Sequence, residues 1–137
     1  MQSLSHYTML VGLTVGAMLT WSSLATARPY PDELGICYRF QDDTLEQREP
    51  CVISAGYGAG AHYVVLHWSD DTSTAIHMIN YCVDGQEFDD RGFCGYRVND
   101  QDAEPYERDA FLGIATVEDS SMTCYRTLSN DESVCYR

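Results

Sequence analysis

Six cysteines constrain what this chain can fold into more than any other feature. They stand at Cys37, Cys51, Cys82, Cys94, Cys124 and Cys135, three close pairs with 13, 11 and 10 residues between members. An even count in a short exported chain reads as a disulfide framework. Buried free thiols do not suit an oxidising compartment, and structural zinc needs a close Cys-x-x-Cys spacing that the sequence lacks. Six cysteines permit many connectivities, and sequence does not choose among them. Pairing of neighbours is the simplest, because each pair brackets one turn-rich gap and would staple adjacent strands. Each closed loop would then stabilise the fold by about 3 kcal/mol through restriction of the unfolded chain.

The compartment is read from the amino terminus. Met9 to Leu19 is apolar apart from Gly12, Thr14 and Gly16, and Ala25-Thr26-Ala27 follows as a small-x-small cleavage pattern. The apolar run is too short to span a bilayer, so residues 1–27 read as a signal peptide. No Lys or Arg precedes it, which leaves the amino group and His6 as its positive end. A retained membrane anchor is the competing reading. Cleavage after Ala27 leaves 110 of the 137 residues, enough for one domain, in a secreted or periplasmic protein without stable membrane insertion.

Within that part, residues 28–36 carry Pro29 and Pro31 and read as an N-terminal tail, with the disulfide-framed β domain over 37–137. No amphipathic helix is evident after Cys37; short β-prone runs alternate with turn signals. The predicted class is all-β: a small antiparallel sheet, sandwich or barrel, cross-linked by disulfides. The clearest element is His62-Tyr63-Val64-Val65-Leu66-His67-Trp68, followed by Ser73 to Asn80. A tight turn at Asp70-Asp71 would set Leu66 opposite Ala75, with both faces apolar and the hairpin central. Cys37–Phe40, Cys51–Ser54, Gln86–Phe88, Phe93–Val98, Thr123–Thr127 and Ser133–Arg137 read as further runs. Phe111–Val117 fits a strand or a helical turn, Gly56–Gly60 a flexible connection, and Asn99–Asp109 a polar loop. Cys-Tyr-Arg occurs at 37–39, 124–126 and 135–137, and a strand would put each Tyr on the face opposite its Cys and Arg.

Charge excludes some partners. The formal net charge is −13, from 21 acids against eight arginines and no lysine, and the leader contains none of them. Nucleic acid and anionic membranes would be repelled, whereas a basic protein would be attracted. High surface solubility is the plainer reading of the same charge. Asp100, Asp102 and Glu104 alternate as in a calcium loop, but Pro105 replaces the turn glycine and Phe111 the bidentate acid. His62 and His77 would share one face of the hairpin and His67 the other, which does not gather a metal site. No nucleophile elbow, phosphate loop or marked acid pair is present, so no catalytic residue, cofactor or metal is assigned.

Two resemblances add to this. Cys37 and Cys51 framing the first run, the glycine-rich stretch, Trp68-Ser69-Asp70-Asp71 and Thr74-x-Ile76 resemble small exported bacterial cysteine-framed β domains over about residues 37–80. That resemblance names no function. Ala59-Gly60-Ala61-His62-Tyr63, with Trp68-Ser69 after it, is similar to the Ser-Gly-x-x-Tyr loop of bacterial C-type lysozyme inhibitors, which are small periplasmic β-barrels. It implies partner contact through Gly60 and Tyr63. Ala59 stands in place of the family's serine, which removes a hydroxyl, and the cysteine layout differs. With nine tyrosines outside the leader, the sequence points to an exported non-enzymatic binding module for a protein or envelope polymer. A structural envelope component, or an inhibitor of a basic secreted hydrolase such as lysozyme, is the alternative.

Overall fold

The computed structural model describes residues 28–109 and 121–137; the leader and Phe111–Val117 lie outside the described residues. The described strands are β1 (Arg28–Pro29), β2 (Glu33–Gln41), β3 (Thr44–Gly58), β4 (Ala61–His67), β5 (Ser73–Ile79), β6 (Gly95–Val98), β7 (Gln101–Asp109), β8 (Ser121–Thr127) and β9 (Glu132–Tyr136). From β2 to β9 each strand pairs antiparallel with the next, and β9 returns to pair with β2. The sheet is therefore a closed eight-stranded meander, the barrel among the predicted all-β forms. Closure pairs most of the backbone that a small open sheet would leave at an edge.

The register divides each strand into an inner and an outer set. Val64, Leu66, Ile76, Tyr96, Val98, Ala103, Tyr125 and Val134 are buried together inside with Cys37 and Cys51. A second buried cluster forms on the outer wall of β2, β9, β8 and β7, from Tyr38, Phe40, Met122, Cys124 and Cys135. The repeated tripeptide explains why there are two. Cys37 faces inward and Tyr38 outward, whereas Tyr125 and Tyr136 face inward and Cys124 and Cys135 outward. Arginines cover outer rings: Arg48 lies 5.7 Å from Tyr38, Arg108 4.2 Å from Phe40 and Arg126 4.9 Å from Tyr106. Asp43 ties Arg108 and Arg126 together at their exposed ends.

The disulfides join sequence neighbours: Cys37–Cys51, Cys82–Cys94 and Cys124–Cys135. The first links β2 to β3 inside the barrel. The second closes the irregular β5–β6 connection, and the third joins directly opposed residues of β8 and β9 on the outer wall.

Several expectations are corrected. Residues 33–36 are the start of β2, and Arg28–Pro29 pair with Tyr57 and Gly56, so this segment is not a free tail. Asn99–Asp109 is not a loop: Asn99-Asp100 is a tight turn and the rest is β7. Its alternating acids follow the two-residue period of a strand, with Asp102 and Glu104 outward and Ala103 inward. Gly56–Gly58 lie within β3, and only Ala59-Gly60 turns the chain. The β4–β5 register is one residue from that predicted, with Leu66 opposite Thr74 and Val64 opposite Ile76. The turn is longer than two residues: Trp68 N donates to Thr72 O, and the Asp70 carboxylate accepts from Thr72 N. The hairpin is thus one wall of a barrel, and its outer Tyr63, Val65 and Ala75 are half-buried.

Candidate functional site

Acids lie at both ends of the barrel, and aromatic rings concentrate toward one. At one end, hairpins turn through residues with left-handed backbone: Asp42, Asp43, Asp71, Asn99, Asp100 and Asp131. Asp and Asn tolerate that conformation better than other non-glycine residues, so the turn-forming acids also make this end acidic. Trp68 is buried there, its Nε1 donating to Thr74 Oγ1 at 3.0 Å. The Arg39 guanidinium lies 4.5 Å from its ring centroid and donates to Gln47 Oε1.

Toward the opposite end of the barrel the described residues hold a row of aromatic rings, termed the aromatic mouth. Tyr57 comes from the end of β3, His62 from the start of β4, Tyr96 from β6, Tyr125 from β8 and Tyr136 from β9. Phe93 comes from the β5–β6 connection, and Tyr30 follows β1, its N–H donating to Ala55 O. Successive ring centroids run Tyr30–Tyr57 6.2 Å, Tyr57–His62 5.8 Å, His62–Phe93 5.5 Å, Phe93–Tyr96 5.8 Å, Tyr96–Tyr125 5.8 Å and Tyr125–Tyr136 6.5 Å. Such separations suit tilted and edge-on ring contacts. Tyr96 and Tyr125 are buried, Tyr57, His62, Phe93 and Tyr136 are half-buried, and Tyr30 is exposed. The row thus passes from core to solvent.

Asp89 organises one side of the mouth. Its carboxylate accepts from the Tyr96 hydroxyl, from Phe93 N at 2.9 Å and from Arg91 N at 3.0 Å. The Tyr96 hydroxyl, and then the Phe93 amide, hold the Asp89 carboxyl below its ordinary value. Burial, and then the same carboxylate, push the Tyr96 phenol well up. Tyr125 and Tyr136 are also raised, chiefly by burial. These phenols hold their protons more tightly than a free tyrosine does. Arg91 lies 3.5 Å from Glu107.

No family model, no characterised protein and no solved structure matches the chain. What the mouth can do follows from its own chemistry. A run of rings with polar edges offers large contact area at low side-chain entropy cost, the composition that contact surfaces favour.

Of the predicted contact residues, Gly60 lies on the rim of this mouth, in the Ala59-Gly60 turn with φ +77°. Tyr63 lies three residues along β4 on the outer wall, opposite Gly56 and His77. The structure places both on one hairpin but not at one point. The histidines divide differently from expectation: His62 joins the rings inside, while His67 and His77 face outward. His67 Nε2 is 3.0 Å from Ser54 Oγ. The register difference in β5 causes this change. Among the described residues no group of His, Cys, Asp and Glu is arranged to hold a metal ion. The ring row was missed because its members are spread from Tyr30 to Tyr136. The usable signal was the Tyr inside each late Cys-Tyr-Arg tripeptide.

Proposed function

We propose that this protein is an exported, non-enzymatic binding module that engages a protein or envelope polymer at its aromatic mouth. The observation that carries the reading is the row of rings from buried Tyr125 to exposed Tyr30. Three disulfides in a small domain suit an oxidising compartment, which supports secretion or a periplasmic location. The net charge of −13 favours a basic partner at long range and disfavours nucleic acid. The direct test uses Tyr30→Ala and Tyr57→Ala, which truncate the accessible end of the row. Partner recovery from the native envelope fraction should fall roughly tenfold or more in the pair, with an unchanged far-ultraviolet spectrum. Undiminished recovery by the folded variants would remove the mouth as the contact surface. A purely structural envelope component would show no saturable partner at all.

Inhibition of a basic secreted hydrolase such as lysozyme is a second reading. The closed barrel and the rim position of Gly60 support it. Inhibition should then weaken as salt rises and fall sharply in Tyr63→Ala, a change that leaves net charge unaltered. Inhibition that survives Tyr63→Ala and vanishes in salt would be charge pairing alone.

A further inference from the structure

The three disulfides occupy very different surroundings. Cys37, Cys124 and Cys135 are fully buried and Cys51 nearly so, whereas Cys82 and Cys94 are both half-buried. Cys94 also lines a surface pocket of about 290 Å³ with Ile79, Gln86, Tyr96 and Leu128. The strands bearing the other two bonds are paired through those residues: Cys37 opposite Glu49 and Tyr136, and Cys124 opposite Cys135. Cys82 lies instead in the irregular segment 80–94 between β5 and β6.

That segment supplies two parts of the mouth. Phe93 stands between His62 and Tyr96 in the ring row, and Asp89 receives the Tyr96 hydroxyl. Apart from the disulfide, the segment is held by the Asp89–Tyr96 hydrogen bond, by Phe93 packed against the core, and by a few main-chain and surface contacts. Cys94 N donates to Ile79 O at 2.9 Å, Asn80 N to Gly60 O at 3.0 Å, and Arg91 pairs with Glu107. Gly85 and Gly92 adopt positive φ within it, at 90° and 83°.

We propose that Cys82–Cys94 is a redox latch on the aromatic mouth, opened by a dithiol reductant while the barrel and its two buried disulfides persist. A thiolate of the dithiol attacks one sulfur of the bond and forms a mixed disulfide, releasing the other cysteine as a thiolate. The second thiol of the reductant then displaces the remaining cysteine. The protein gains two electrons and, on protonation, two protons; the reductant leaves as a cyclic disulfide. Attack requires access, which the half-buried pair offers and the buried pairs do not. Once opened, the segment loses its covalent closure, and Phe93 and Asp89 are freed to leave the ring row.

The test combines limited dithiothreitol treatment in native buffer with alkylation and peptide mass mapping. Cys82 and Cys94 should be modified roughly tenfold faster than the other four cysteines. After selective opening, the near-ultraviolet tyrosine signal should change and the Tyr96 phenol should ionise closer to 10.0, its ordinary value. The Cys82→Ser/Cys94→Ser double variant should show the same signal with an intact far-ultraviolet spectrum. Simultaneous reduction of all three bonds would overturn the latch, as would selective opening without a change at the tyrosines. Neither readout uses a partner, so loss of the latch and loss of the mouth as a binding surface are separate results.

Discussion

At the scale of single residues, close backbone approach and one carboxylate contact, that of Asp89 with Tyr96, matter most. Gly35 sits where β2 passes the carboxy terminus, and an added Cβ would stand 2.5 Å from Ile53 Cδ1 and 2.7 Å from the Arg137 carbonyl oxygen. Ile53 can turn aside. The carbonyl can yield only by disturbing the reciprocal Ile36–Arg137 hydrogen bonds. Gly35→Ala should therefore lower unfolding free energy by about 1–3 kcal/mol in a denaturant titration. Asp89 gives a pH signature. Its carboxyl is held below the ordinary 3.8, so its stabilising effect is complete above that value and disappears as pH falls through the lower folded value. Asp89→Asn should flatten the acid limb of the stability profile below about pH 4, and an unchanged limb would contradict the assigned contact. Neither residue was legible in sequence: the role of each depends on an approach between distant segments.

At the scale of elements, much was legible because strand physics leaves local traces. The β-branched and aromatic run at 62–68, the terminal hairpin and the neighbour-paired cysteines all appear as predicted. The errors share a cause. Thr44–Pro50 and Gln101–Asp109 are polar strands on a barrel wall; the first carries no run signal in the sequence, and the acids of the second resemble loop composition although they are the outer half of a two-residue period. The β4–β5 register was missed because the Asp70 side chain bonds to Thr72 and lengthens the turn. The tight turns also make a prediction. Asp100 has φ 65° in the two-residue Asn99-Asp100 turn, a conformation that costs a β-carbon residue strain and glycine none. Asp100→Gly should raise stability by about 0.5–1 kcal/mol by thermal or chemical unfolding, despite the greater freedom of glycine in the unfolded chain.

At the scale of the whole molecule, the barrel joins an acidic, turn-bearing end to an aromatic mouth. Neither end could be seen in the sequence, since the ring row assembles only when β3, β4, β6, β8 and β9 close into one wall. The row should be visible in a tyrosinate absorbance titration. Tyr96, Tyr125 and Tyr136 have phenols raised above 10.0, so the folded state holds their protons more tightly than the unfolded chain. Their contribution is complete below the unfolded value and is lost as pH rises through it toward the folded values. A late-ionising class of tyrosine is expected, appearing with loss of the fold. A single normal class would place the rings in solvent.

The claim that the mouth meets the partner is tested most directly by site-specific photocrosslinking in native envelopes. A photoreactive side chain at Tyr57, on the aromatic rim, is compared with one at Asp100, on the acidic end of the same barrel. A discrete adduct is expected from position 57 and none from position 100. An adduct from position 100 alone, or from neither position, would contradict the claim.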